Sequence, residues 1–246
     1  MTSFLKRDLK ASKRFKAKLA AKELATLIHS SHPSPSLVER LGQHRFDAVL
    51  IDAEHGSVGR ECAEEMSRAA ALADIAAIMR PEGSLAHLVT GYLGCGVDGL
   101  MLPLIRTPEQ ARELAECFRI SAPRDHADRV LILMIEHIEA VENIPALLDI
   151  EGVDAFLVAP SDMALSMGES FDPLAPRVLA VMDRAIDLIV ASGKTCGMRI
   201  DFDTIEDYMA KGVTLLYTHT DHMIASGVQD YYSKVESARG SAARRI

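Results

Sequence analysis

A chain of 246 residues has the length of one (β/α)8 barrel and enough material for a sizeable core. Its net charge of −8 argues against a nucleic-acid surface, and no apolar run approaches the ~20 residues of a membrane span. The four cysteines, Cys62, Cys95, Cys117 and Cys196, form no CxxC pair, so neither a zinc framework nor a disulfide scaffold is expected and the chain reads as cytoplasmic.

Taken in order, the first 22 residues carry Lys6, Arg7, Lys10, Lys13, Arg14, Lys16, Lys18 and Lys22 against Asp8 alone. This stretch reads as a solvated amphipathic helix that caps a barrel floor or packs on another subunit; a basic, acid-poor transit peptide is the alternative. Short apolar runs then alternate with alanine-rich amphipathic stretches, the pattern of βα units. Strands are predicted near Ala25–His29, Ala48–Asp52, Ile75–Arg80, Gly99–Leu104, Val130–Glu136, Ala155–Val158, Thr195–Ile200 and Leu215–Thr218. Helices fit between them at Arg60–Leu72, Pro108–Phe118, Val141–Asp149, Pro176–Ser192 and Thr204–Lys211, with Gly193 and Gly212 as C-terminal stops. No break in composition divides the chain, so residues 1–246 are expected to form one barrel domain. The tail from Glu236 to Ile246, rich in Ser, Ala and Arg, is expected to fray.

Barrel active sites lie at the C-terminal ends of the strands, and these ends are unusually polar. Asp52, Glu54 and His55 follow the second strand, Arg80 ends the third and Glu136 the fifth, Asp162 follows the sixth, and Asp221 and His222 follow the eighth. Glu136 and Asp162 are hard oxygen donors suited to Mg2+, Mn2+ or Co2+, or else they cap neighbouring helices. His55, in an acidic loop, is either a general base or a surface histidine. Arg80, ending an apolar strand before Pro81, calls for an anion, structural or substrate. His219 and His222 could share a zinc only across a turn, because residues three apart on a strand face opposite ways. Gly94-Cys95-Gly96 lacks the spacing and the lysine of a phosphate loop and reads as a tight turn. No lysine occurs between Lys22 and Lys194, which leaves the inner strands without a Schiff-base candidate. Carbon–carbon chemistry on a keto acid would then need a metal as electron sink.

Several of these segments together resemble the HpcH/HpaI aldolase/citrate lyase family of metal-dependent 2-oxo acid aldolases. They are FDAVLIDAEHG (Phe46–Gly56), MRPEG (Met79–Gly83), GVDGLMLPLI (Gly96–Ile105) and IEHIEAVENIPALLDIEGVDAFLVAPSDMALSMG (Ile135–Gly168). The resemblance implies a phosphoenolpyruvate/pyruvate-type barrel and a lyase that splits or forms the C3–C4 bond of a 4-hydroxy-2-oxo acid, giving pyruvate and an aldehyde. It implies Glu136 and Asp162 as ligands of a divalent cation, Mg2+ foremost. It implies Arg80 as the group that binds the keto carbonyl and steadies the enolate, and His55 as the catalytic histidine with Asp52 as its nearby acid. Ala159, Pro160 and Ser161 are implied as the stretch receiving the substrate carboxylate. A homo-oligomer, trimeric or hexameric with an exchanged C-terminal helix, is also implied. The chain departs from the pattern at Met134, where the family commonly has Gln, at Gly94, where an acid commonly supports the histidine, and in a loop shortened to Ser121–Asp128. Two rivals follow: another metal–enolate enzyme (a decarboxylase, a macrophomate synthase-like enzyme or an acyl-CoA lyase), or a keto-acid-binding protein without turnover.

Overall fold

The computed structural model describes residues 8–169 and 172–243. Eight strands, β1 (Ala25–His29), β2 (Ala48–Asp52), β3 (Ala76–Arg80), β4 (Gly99–Leu102), β5 (Val130–Ile135), β6 (Ala155–Val158), β7 (Thr195–Arg199) and β8 (Leu215–His219), pair in parallel and in sequential order. β8 pairs back on β1, so the sheet closes as a (β/α)8 barrel. Helix α1 (Lys10–Ala21) precedes β1, and α2 (Pro35–Leu41), α3 (Arg60–Leu72), α4 (Ala86–Gly94) and α5 (Pro108–Ser121) follow the first four strands in turn. β5 leads to α6 (Ile138–Glu142) and α7 (Ile144–Leu148), and β6 to α8 (Pro160–Ser166) and α9 (Pro176–Ala191). α10 (Ile205–Ala210) follows β7, and α11 (Thr220–Ala243) follows β8.

Local chemistry explains the starts and stops. Ser34 and Thr107 accept the backbone N–H groups of Leu37 and Gln110, capping α2 and α5, and each cap precedes a proline suited to the first turn. The helix expected over Val141–Asp149 is divided at Asn143, because Pro145 has no N–H to continue the ladder. The fourth strand stops at Leu102 rather than Leu104. Pro103 cannot donate to a neighbour, and Leu104 turns into the left-handed region at φ 56°.

Strands closed into a barrel and covered by helices are buried on both faces, hence the continuous apolar runs of β2, β3 and β5. Alternate residues divide into two cores. Leu27, Leu50, Ile78, Ile132 and Leu157 fill the barrel interior, while Ile28, Val49, Met79, Leu131 and Phe156 pack beneath the helices.

The basic N-terminal stretch closes the barrel floor. Phe15 and Leu19 of α1 are fully buried with the interior core. Around them, α1 meets acids that stand one or two residues ahead of the strands: Lys18 on Asp47 at 2.7 Å, Arg14 on Asp74 at 3.1 Å, Lys13 on Asp128 at 3.2 Å and Lys16 on Asp154 at 3.0 Å. Asp47, Asp98 and Asp154 also accept the amides of Thr26, Ala77 and Leu131 on the preceding strand, at 2.8–2.9 Å. Lys6 and Arg7 lie outside the described residues.

At the other terminus the tail that was expected to fray is helical as far as Ala243, and 244–246 lie outside the described residues. α11 exposes Ile224, Val228, Tyr231 and Tyr232 to solvent. No described helix is long and apolar enough to cross a membrane.

Candidate active site

The mouth of the barrel is organised by a register. Asp52 and Arg80 are paired neighbours at the ends of β2 and β3, so their side chains leave the sheet on the same face. Asp52 grips the guanidinium with both oxygens, Oδ1 to Nε at 2.8 Å and Oδ2 to Nη2 at 2.7 Å, while Glu54 approaches Nη1 at 3.1 Å. Burial alone would raise the Asp52 carboxyl. Arg80, with His29 at 3.4 Å, outweighs burial and holds Asp52 well below the usual carboxylate range. The loop after β2 folds tightly to bring Glu54 in: its N–H donates to Asp52 Oδ1, and a Cβ on Gly56 would lie 2.3 Å from the Asp52 carbonyl oxygen. Only glycine fits there.

Glu136 stands at the end of β5, almost wholly buried. Its Oε1 accepts the N–H of Leu104 at 2.5 Å, which the left-handed turn of that residue aims at it. Its Oε2 is buried without a hydrogen-bond partner. Burial pushes the Glu136 carboxyl up to about 7, with the Leu104 N–H opposing and the charges of Glu54 and Asp162 adding. Glu54 is raised in the same way: burial leads, Arg80 opposes, and Asp52 and Asp162 contribute repulsion. Asp162, in the first turn of α8, therefore belongs to one electrostatic cluster with Glu136 and Glu54. It does not cap α8, whose N-cap residue is Ala159.

His55 lies at the rim with its side chain 59% exposed, and its Nε2 is 3.8 Å from Glu54 Oε2. No hydrogen bond or ion pair joins it to Asp52, whose oxygens serve Arg80, His29 and the Glu54 amide. Of the stretch Ala159–Ser161, the amide of Ala159 is committed to the carbonyl of Ile135 at 3.1 Å and Pro160 has none. Ser161 and Asp162 keep first-turn N–H groups without an intrahelical acceptor. At the family's glutamine position, Met134 offers only its sulfur, 4.0 Å from Arg80 Nη1. Gly94 ends α4 ahead of β4, at the opposite end of its own barrel from His55.

Sequence reading missed most of the other wall. His29 ends β1 and Arg199 ends β7, so the strand-end rule applied to all eight strands would have found them beside His219, which ends β8 and was visible in the sequence only as a possible zinc partner of His222. His219 and His222 have different partners through their Nδ1 atoms. His219 Nδ1 lies 2.9 Å from His29 Nδ1, one of the pair donating, while His222 Nδ1 approaches Asp201 at 3.5 Å. Burial, then the charges of His29 and Arg199, push His219 down to about 3, so its ring is neutral. Burial raises the Tyr217 hydroxyl far above its ordinary value, which keeps it protonated. A cavity of about 150 Å3 opens among Arg80, Met134, Asp162, Arg199, Tyr217 and His219. A larger one, about 610 Å3, lies by Glu151 and Arg119 near the floor, where Arg119 is already paired with Glu116 at 2.5 Å.

Fold and site together define a (β/α)8 barrel enzyme whose charged groups converge at the C-terminal strand ends. The chain belongs to the HpcH/HpaI aldolase/citrate lyase family, whose sequence model matches residues 26–229. It is 28% identical to the hydroxypyruvate/pyruvate aldolase of Cupriavidus necator over 87% of this chain and 88% of that one. It is also 28% identical to a 4-hydroxy-2-oxo-heptane-1,7-dioate aldolase of Escherichia coli, over 66% of this chain and 71% of the other. Among solved structures, an HpcH/HpaI family protein of Burkholderia cenocepacia shares the fold with a TM-score of 0.82 at 22% identity, covering 91% of this chain and 99% of that one. The citrate synthase SbnG does so with a TM-score of 0.79 at 20% identity, covering 94% and 99%.

Proposed function

We propose that the chain is a divalent-metal-dependent carbon–carbon lyase, cleaving or forming the C3–C4 bond of a 4-hydroxy-2-oxo acid to give pyruvate and an aldehyde. The observation that carries this reading is the state of Glu136. A buried carboxylate with one oxygen unpartnered, raised to about 7 and crowded by two further carboxylates, is a poor structural element and a good seat for a cation. Among the described residues no group of three or more His, Cys, Asp or Glu is arranged to hold a metal. The Glu136–Asp162 pair would thus leave most positions to water and to a chelating 2-oxo acid. When bound, the cation supplies a Lewis acid for the keto carbonyl, the role that no lysine is available to replace.

The chain's own groups do the rest. Asp52 and Glu54 fix the plane of the Arg80 guanidinium, so that its charge stands ready where the enolate oxygen becomes negative. Asp52 is a positioning residue in this account. The amides of Ser161 and Asp162 receive the substrate carboxylate. His55 takes the proton of the 4-hydroxyl at the rim, where an aldehyde can leave, and Glu54 is the acid at its side. We further propose a cytoplasmic protein of one barrel domain with no nucleic-acid partner, assembled from identical copies that cover the apolar stripe of α11.

Pyruvate C3 hydrogen–deuterium exchange, followed by NMR in D2O, tests the reading without a guess about the aldehyde. The metal-stripped protein should be silent and Mg2+, Mn2+ or Co2+ should restore exchange. Full exchange in the stripped protein, or none with any metal, contradicts it.

A further inference from the structure

The chemistry above moves two protons, one from the 4-hydroxyl and one to C3. His55 serves the first at the rim, while the second needs a group inside the cavity. The tops of β1 and β8 supply one. Leu27 and Tyr217 face the barrel interior, so the residues two further on, His29 and His219, stand on the same face at the mouth. They are also paired neighbours in the β1–β8 register, which brings their rings together edge to face with centroids 4.7 Å apart. His219 lines the cavity that holds Arg80 and Asp162.

Hydrogen bonding fixes what each ring nitrogen carries. Burial would raise the Asp52 carboxyl, but Arg80 and His29 keep it ionised, so its oxygens can only accept. His29 Nε2, 3.4 Å from Asp52 Oδ2, therefore carries its proton on that side. In the singly protonated ring Nδ1 is bare, and His219 Nδ1, 2.9 Å away, is the donor between the two. His219 Nε2 is then left as a lone pair. It is buried and has no hydrogen-bond partner among the described residues. A basic nitrogen in that state is costly until a ligand in the cavity meets it.

Alone, His219 would be a poor base. Burial, then the charges of His29 and Arg199, push it down to about 3, so a proton does not rest on its ring. The pair removes that obstacle. As Nε2 takes a proton, the Nδ1 proton can pass to His29, and the positive charge comes to rest beside the Asp52 carboxylate. Tyr217 in the same cavity is no substitute, because burial holds its hydroxyl far above its ordinary value.

We propose that His219 is the acid–base group at C3 of the 2-oxo acid, with His29 and Asp52 as its relay. In pyruvate exchange the C3–H bond breaks and its proton goes to His219 Nε2. The electron pair forms the C2–C3 double bond and leaves the negative charge on the keto oxygen, facing Arg80. The Nδ1 proton of His219 moves to His29 in the same event. In cleavage the relay, loaded with a proton from solvent, runs in reverse and delivers it to the enolate carbon. This rests on the reading of the cavity as a 2-oxo acid site and assigns its two proton transfers to two different histidines.

The test pairs the rate of C3 exchange at saturating pyruvate, by NMR in D2O, with pyruvate affinity by calorimetry, both on the Mg2+-loaded full-length protein. His219→Gln fills the same space without a basic nitrogen, and should lower the rate by about a hundredfold or more with affinity held within about threefold. His29→Gln, which cannot carry the charge, should lower the rate by about tenfold or more at similar affinity. A merely structural role would move affinity and rate together. Exchange at the wild-type rate in His219→Gln overturns the proposal alone and leaves the lyase reading standing. Rate and affinity lost together in both His219→Gln and His219→Asn make the ring a structural element and overturn it as well. A wild type that binds pyruvate without exchange under any metal removes the lyase reading and this proposal with it.

Discussion

The two ends of this barrel use charge in opposite ways. At the floor, Asp47, Asp74, Asp128 and Asp154 each meet a basic residue of α1, and Asp47 and Asp154 accept strand amides as well. At the mouth, Glu136 has a buried oxygen with no partner, Glu54 is raised by burial, and Arg199 has no firm acceptor. Paired charge at the floor holds the closure of the sheet. Unpaired charge at the mouth is tolerated where a ligand completes it, because an unsatisfied buried group costs free energy until something binds.

Breaking that contrast at Glu136 should have the largest effect. Glu136→Gln removes the anionic oxygen and should abolish metal-dependent exchange and turnover while leaving the Leu104 contact available; metal-dependent activity retained in that variant would contradict the ligand assignment. Arg80→Met comes next. It should lower the exchange rate by roughly 10²–10³ and, by stranding Asp52 and Glu54, destabilise the fold by about 3–5 kcal/mol in thermal or urea unfolding.

The pH dependence of the metal-free protein sharpens the comparison further. The Glu136 carboxyl is at about 7 in the folded chain against an ordinary value of 4.5. A carboxyl raised on folding adds stability that is fully present below its unfolded value and is lost as pH rises through its folded one. The stripped wild type should therefore lose on the order of 3 kcal/mol between pH 4.5 and 8 relative to Glu136→Gln. Added Mg2+ should reduce the loss. Parallel unfolding curves for the two proteins would contradict the raised carboxyl.

The smallest effect belongs to the floor. Asp47→Ala deletes a pair with Lys18 and hydrogen bonds from Thr26, and should cost about 2 kcal/mol of stability with no change in pyruvate exchange. A change in rate would mean that the two ends are coupled.

Much of this was legible in the sequence, for identifiable reasons. Strands buried on both faces leave unbroken apolar runs, so all eight could be located to within a residue or two, and the acids and arginine ending them were visible as interruptions. What could not be read was pairing between distant segments. Nothing near Asp52 in sequence tells that its oxygens go to Arg80, 28 residues on, and to His29 rather than to His55. His219 and His29 meet because β8 closes on β1, a contact spanning 190 residues. Pro145 marks the break at Asn143 within the helix expected over Val141–Asp149, while nothing in the sequence marked the persistence of α11 to Ala243, whose Ile224, Val228, Tyr231 and Tyr232 are exposed among the described residues.

The most direct test of the central claim is titration of Mn2+ into the metal-free protein by calorimetry, in buffers of different ionisation enthalpy at pH 6 and pH 8.5. If Glu136 is the open seat, binding at pH 6 should release close to one proton more than at pH 8.5, and Glu136→Gln should lose both the extra proton and most of the affinity. Equal proton release at the two pH values, with wild-type affinity in Glu136→Gln, would place the metal elsewhere and remove the basis of the proposed chemistry.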